Sequence, residues 1–227
     1  MEWIKNHWFL LTMLAIATIL SFVWLFVFNR KKLNAKWWEI TVLCLIHTTY
    51  GVLTVLFFAI LESGFDITVV GSISLFGGIF FMPLMYFVYA KIKNIPLSIV
   101  FDVFSIALAS TLFFARLNCL HAGCCQGIIM DSNGIRWPAR EIDLLAHLLF
   151  IIFAAPRIIS NQSKGKLYPY YMIIYGLTRF ANEWLRENES SSPIHIAHIW
   201  SIVSFVIGTT FIIIIHSKQK GGVKNEK

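Results

Sequence analysis

Seven long apolar runs, with short charged stretches between them, constrain this chain more than any other feature. A helix that crosses a bilayer needs about 20 mostly apolar residues. Runs of that kind lie at Trp8–Phe28, Trp37–Leu61, Val70–Ala90, Pro96–Ala115, Ile142–Ile159, Leu167–Trp184 and Ile196–His216. Only 14% of the 227 residues are charged and 57% are hydrophobic, whereas a soluble domain carries roughly a quarter charged residues. The predicted fold class is an all-α integral membrane protein with seven transmembrane helices. Residues 1–217 form one domain and 218–227 a basic cytoplasmic tail, with no internal repeat and no low-complexity segment. The first run has neither the basic start nor the small-residue cleavage site of a signal peptide, so it reads as an uncleaved anchor.

Charge sets the orientation. The net charge of +7 would suit nucleic acid if the lysines were spread over a surface, but they cluster between apolar runs, and nucleic acid is set aside as a partner. Arg30 to Lys36, Lys91 and Lys93, then Arg157, Lys164 and Lys166, and finally the tail from Lys218 mark alternate loops. The second loop holds Glu62 and Asp66 and no basic residue. By the positive-inside bias the N-terminus is outside and the C-terminus cytoplasmic. The chain is then multi-pass in a cytoplasmic membrane. The loop from 116 to about 141 and the loop Glu187 to His195 both face outwards.

The outward loop begins with Arg116-Leu-Asn-Cys-Leu-His-Ala-Gly-Cys-Cys-Gln-Gly127, which holds three of the four cysteines. Cysteine and histidine are the residues that attack, carry protons or bind metal near neutral pH. Several readings are open. Cys119 with Cys124 or Cys125 forms a disulfide in an oxidising exterior. Alternatively Cys119 or Cys124 is a catalytic thiol activated by His121 and Arg116. A metal site of the three cysteines and His121 is a third reading, although the spacing is not a standard zinc pattern. Inert packing is the fourth, and it is also the reading for Cys44. Neighbouring Cys124 and Cys125 do not suit a disulfide with each other. No cofactor and no metal are expected. His47, His147 and His198 read as hydrogen-bonded core residues.

Ionisable residues inside apolar runs are costly and normally face the protein interior. Asp102 and Arg116 lie at the two ends of the fourth run. In the sixth, Tyr175, Arg179, Glu183 and Arg186 follow at intervals of four, four and three, which stacks them on one helical face. Ile174, Leu177, Ala181 and Leu185 form the opposite, apolar face. Three guanidinium groups then meet only Glu183 and Asp102 as evident counter-charges, and surplus arginine suits a phosphate, which it grips bidentately. A purely structural ion-pair network is the alternative. Gly64, Gly71, Gly77 and Gly78 read as close-packing positions, Pro83 as a kink and Pro96 as a helix start.

The order of these elements resembles the prolipoprotein diacylglyceryl transferase family, seven-helix enzymes of the bacterial cytoplasmic membrane. Tyr175-Gly-Leu-Thr-Arg-Phe-Ala-Asn-Glu-Trp-Leu-Arg186 is similar to the family's Tyr-Gly-x-x-Arg-Phe-x-x-Glu-Phe-x-Arg motif. Ser74-Leu-Phe-Gly-Gly78 resembles Ser-Phe-His-Gly-Gly, and Asp102 sits where the fourth segment carries an aspartate. Arg116 to Gly123 resembles Arg-Ile-Gly-Asn-Phe-x-Asn-Gly, and Trp137-Pro-Ala-Arg-Glu-Ile-Asp143 resembles His-Pro-x-Gln-x-Tyr-Glu. Ala197-His-Ile-Trp-Ser201 resembles Gly-Gln-x-x-Ser.

The resemblance implies transfer of a diacylglyceryl group from phosphatidylglycerol to the lipobox cysteine thiol of a prolipoprotein or a related acceptor. It implies that Arg116 and Arg179 hold the headgroup phosphate, that Tyr175 orients the headgroup and that Glu183 fixes Arg179, with Arg186, Asp102, Gly77 and Gly78 in support. The chain departs from the family at Phe76, where the family has a histidine, at Cys119 in place of the signature asparagine, and at Trp137 and Ile142. The family's second-helix arginine has no counterpart here. Phenylalanine takes no proton, so His121, with Cys119 and Cys124, is the expected catalytic set beside Tyr175. Two further readings share the scaffold: a cysteine-dependent lipid-modifying or thiol enzyme, and a non-catalytic phospholipid-binding membrane protein.

Overall fold

The computed structural model describes residues 2–66, 74–187 and 194–224. Seven helices follow one another: α1 (Glu2–Val23), α2 (Trp37–Glu62), α3 (Phe76–Lys93), α4 (Leu97–Ala122), α5 (Ala139–Ile159), α6 (Leu167–Glu183) and α7 (Ile196–Lys224). A single π-helical turn, Trp24–Phe28, extends α1. Among the described residues there is no sheet, only two isolated antiparallel bridges. Among the described residues five stretches are long and apolar enough to cross a membrane: Trp8–Phe28, Trp37–Glu62, Leu97–Ala122, Ala139–Ile159 and Ile196–Gln219. The third and sixth predicted segments form α3 and α6, which are shorter, at 18 and 17 residues. The expected start of the third segment at Val70, with Gly71, lies outside the described residues, as does most of the loop Glu187 to His195.

α4 is the axis of the bundle. Fourteen of its 26 residues are buried, and it packs on α1, α3, α5 and α6. It also runs two turns beyond the Ala115 end expected from hydropathy, so that Arg116, Cys119 and His121 are helical rather than in a loop. Hydropathy ends where charge begins, but a helix ends where its backbone turns. Here the turn is Gly123, in the left-handed region at φ 71°, where glycine lacks the Cβ penalty. In the same way α7 continues past His216 to Lys224, through most of the expected tail.

Pro83 lies inside α3 and cannot donate to the carbonyl of Ile79. The Tyr168 hydroxyl of α6 donates to that oxygen instead, at 2.7 Å. Gly77 is where α3 meets α2, since a Cβ there would lie 2.1 Å from the Thr54 carbonyl oxygen. Gly78 faces Leu108 and Leu112 of α4. Both glycines therefore serve helix packing.

The two ends of the bundle differ. At one end, Lys32 donates to the Ile158 carbonyl and the Tyr89 hydroxyl to the Leu33 carbonyl. Lys93 pairs with Glu39 at 2.8 Å. Asp102 accepts from the backbone N–H groups of Gly165 and Leu167 at 2.6 and 2.8 Å. Every basic loop gathers there. The opposite end carries the cysteines and the α6 stripe.

Candidate active site

The chain between α4 and α5 folds back as a hairpin. Trp137 N–H donates to the Ile128 carbonyl at 2.9 Å, and Met130 N–H to Ile135 at 2.8 Å. Asp131 closes the turn by accepting from Ile135 N–H at 2.8 Å. The base of this hairpin is joined to the exit of α6: Ile128 N–H donates to Leu185 O at 3.0 Å, and Glu187 N–H to Gln126 O at 2.9 Å. Gly127 sits at this junction, where a Cβ would lie 2.1 Å from the Trp137 carbonyl oxygen. These backbone pairs bring Arg186 against the cysteine stretch.

Beneath the hairpin lies a buried charge network drawn from three helices. Arg116 of α4, Asp143 of α5, and Arg179 and Glu183 of α6 are each at most 6% exposed. Arg116 Nη2 lies 3.0 Å from Asp143 Oδ2, and Arg179 Nη1 lies 3.6 Å from the same oxygen. Arg179 Nη2 pairs with Glu183 Oε2 at 2.7 Å, and Arg186 Nη1 lies 3.5 Å from that oxygen. Asp143 is itself oriented by Asn182, whose amide donates to Oδ1 at 3.0 Å and receives the Trp137 indole N–H at 2.9 Å. The Nε of Arg116 is buried with no hydrogen-bond partner in this structure.

Tyr175 closes the floor of the site. Its ring meets Phe76 edge-on, with centroids 5.2 Å apart, and stacks on His147 at 5.9 Å. Phe76 thus faces Tyr175 through a wholly aromatic contact, at the position where a histidine was the family expectation. A small cavity of about 10 Å³ lies between Asp143, His147, Tyr171, Tyr175 and Thr178, about the room for one water molecule. His147 Nδ1 bonds the Tyr171 hydroxyl at 2.9 Å, while its Nε2 is buried without a partner.

The three cysteines of the loop converge. The sulfurs of Cys119, Cys124 and Cys125 all lie within 4.8 Å of one another, and none is in a disulfide. Cys125 takes a positive φ of 59°, which turns its Sγ to within 3.7 Å of that of Cys124. Arg186 Nη2 donates to Cys125 Sγ. The neighbouring thiols of Cys119 and Cys124 hold the Cys125 thiol far below its ordinary pKa, and Arg186 and Arg116 add to this. Cys124, whose thiol donates to the Cys119 carbonyl oxygen at 3.7 Å, is pushed up.

Not every expected site residue joins this cluster. His121 is exposed, and its ring stacks on Phe9 of α1 at 4.0 Å, on the face of α4 turned away from Arg116. Asp102 is at the basic end, fourteen residues from Arg116 on one helix, or about 21 Å at 1.5 Å per residue. The counter-charge to Arg116 is Asp143 instead. In the sequence Asp143 stands only at the end of the Trp137–Asp143 motif, and no period within α5 marks it as a partner of two arginines. Asn182 and Glu62 were missed as well; Glu62, at the end of α2, is close enough to Arg179 and Tyr175 to affect both electrostatically. His47, His147 and His198 are buried and hydrogen-bonded.

Comparison with known proteins agrees with the resemblance in the sequence. The chain is 32% identical to phosphatidylglycerol–prolipoprotein diacylglyceryl transferase 2 of Clostridium perfringens, over 35% of this chain and 36% of that protein. It is 23% identical to the phosphatidylglycerol–prolipoprotein diacylglyceryl transferase of Tropheryma whipplei, over 68% of this chain and 65% of that protein. The chain thus spans between about a third and two thirds of the length of these relatives. No solved structure matches it significantly. The family profile described as prolipoprotein diacylglyceryl transferase matches residues 3–214, nearly the whole chain, and the protein belongs to that family.

Proposed function

We propose that this protein is a membrane transferase that moves a diacylglyceryl group from phosphatidylglycerol to a cysteine thiol of a prolipoprotein or a related acceptor. One observation carries the reading: two buried arginines from different helices, Arg116 and Arg179, converge on a single carboxylate oxygen. Two guanidinium forks aimed at one point form a seat for a tetrahedral oxyanion, and Arg116 keeps an unused Nε donor. The thiolate attacks the glyceryl carbon and the headgroup leaves as glycerol phosphate, with its developing charge held by the arginines. Tyr175 orients the headgroup, and Glu183 fixes Arg179. With its ring stacked on Phe9, His121 stands outside this proton chemistry.

In this reading the chain crosses the bacterial cytoplasmic membrane seven times, with its N-terminus outside and its C-terminus cytoplasmic. Residues 1–217 form one domain and 218–227 a basic tail. Grouping of the basic loops at one end of the bundle supports that orientation by the positive-inside bias. A membrane-impermeant maleimide applied to intact, reduced spheroplasts should label Cys124 and spare the buried Cys44. Labelling only after the membrane is broken would reverse the topology.

The activity is tested by incubating the purified chain with labelled phosphatidylglycerol and a lipobox peptide. Lipidated peptide and free glycerol phosphate are expected. Phospholipid binding without either product would favour the second reading, a lipid-binding protein without turnover, to which the proton-inert Phe76 beside Tyr175 points.

A further inference from the structure

Phe76 leaves the site without a base at the position where the family pattern has a histidine, yet an attacking thiol must lose its proton. The cysteine cluster offers a different means. Zinc–thiolate bonds of about 2.3 Å, arranged tetrahedrally, hold sulfurs about 3.8 Å apart. Cys124 and Cys125 already stand at 3.7 Å, and the third sulfur, Cys119, lies within 4.8 Å of both. Cys119 is buried and Cys125 is held by Arg186, while Cys124 is exposed, so one side of the triangle is open. No histidine or carboxylate joins the three sulfurs among the described residues. Three protein ligands and one open position are the pattern of a catalytic rather than a structural zinc site.

We propose that Cys119, Cys124 and Cys125 form an open three-thiolate site for Zn²⁺, whose fourth position takes the acceptor thiol. The inference rests on the transferase reading above for its second ligand. Three thiolates and a divalent ion leave a charge of −1, and a fourth thiolate makes it −2. Arg186, bonded to Cys125 Sγ, and Arg116, one turn before Cys119 on the same helix, offset that charge. Soft thiolate ligands select such metals, and guanidinium N–H donors to ligating sulfur act as outer-shell support.

The chemistry balances without an oxidant or reductant. On coordination the acceptor thiol releases its proton to water, since a coordinating thiol is deprotonated outright. A sulfur lone pair then forms the S–C bond to the glyceryl carbon. The C–O bond to phosphate breaks, and its electron pair leaves on glycerol phosphate, which Arg116 and Arg179 hold. The metal ion keeps its charge throughout.

The full chain, purified in detergent under reductant and stripped of metal, is titrated with Co²⁺ as a spectroscopic stand-in and with Zn²⁺ in competition. One Co²⁺ per chain should give a thiolate charge-transfer band that Zn²⁺ removes. A lipobox peptide with its cysteine should change the cobalt spectrum, and the same peptide with serine should not. Cys119→Ser and Cys124→Ser should each lose the band, Cys44→Ser should keep it, and Arg186→Gln should weaken metal affinity about tenfold. A variant counts only if it still binds phospholipid. Absence of the band, its survival in both loop variants, or a cobalt spectrum indifferent to the cysteine peptide would overturn the site. So would recovery of Cys119 in a disulfide from alkylation-trapped cells. Full-rate transfer after chelation would sink the metal site and leave the transferase standing. A thiol-responsive cobalt spectrum with no glycerol phosphate released would do the reverse.

Discussion

Each end of the bundle holds a buried aspartate, and the two are used in opposite ways. Asp102, 2% exposed, accepts from two backbone N–H groups at the start of α6. It acts as a remote cap, satisfying donors that a helix N-terminus leaves open. Asp143, 5% exposed, receives two arginines and an asparagine. A carboxylate satisfied by backbone is fixed for as long as the fold lasts. One satisfied by side-chain guanidinium groups can be relieved when another anion arrives. The residue type is the same at both ends; the partners decide whether it holds structure or prepares a binding site.

The comparison is broken most severely at Asp143. Asp143→Asn leaves Arg116 and Arg179 buried against a neutral amide, and removing one member of a buried ion pair costs about 3–5 kcal/mol. Unfolding in mild detergent should move by that amount, and an anionic phospholipid should recover part of it. If phospholipid does not, the arginines are not a phosphate seat. Arg179→Lys comes next. A point charge replaces a fork, one charge-assisted bond worth about 1.5–3 kcal/mol is lost, and transfer should fall about ten- to a hundredfold with the fold intact. Unchanged transfer would leave Arg179 a structural partner of Glu183 alone.

Asp102→Asn should cost about 1–3 kcal/mol of stability, because one of two buried N–H donors loses its acceptor. The transfer rate per folded molecule should not change; a fall in that rate would erase the distinction between the ends. Smallest is Tyr168→Phe, which removes the donor to the carbonyl that Pro83 leaves open and should lower stability by about 1–2 kcal/mol. No loss of stability there would mean the Ile79 carbonyl finds another donor.

Two further residues show why parts of the site were hidden in the sequence. Asp102 looked like the counter-charge to Arg116 because both lie in one apolar run, but a helix separates its residues by a fixed rise and the two end far apart. His121 looked like the base because it follows Arg116 by five residues, but that spacing turns it by about 140° and delivers it to Phe9. Linear closeness misled in both cases through the same helical geometry. The three cysteines left a disulfide, a catalytic thiol, a metal site and inert packing all open for a different reason. Their spacing suits no standard metal pattern, and only the αL turns at Gly123 and Cys125 bring the sulfurs together.

The sequence by itself determined what depends on local periodicity and on composition. Among the described residues seven helices stand where the seven apolar runs stand, although two are shorter than a typical span. Tyr175, Arg179, Glu183 and Arg186 form one stripe because 3.6 residues per turn leave no other outcome for intervals of four, four and three. The gathering of the basic loops at one end follows from their alternation. The tertiary structure alone decided the pairings between helices: Asp143 with Arg116 and Arg179, Asn182 with Trp137, Arg186 with Cys125. A helix's own pattern is written by hydrogen bonds four residues apart. Which side chain it meets on a neighbour depends on its rotation, depth and loop path, set by packing across the whole bundle and by contacts such as Gly77 against Thr54.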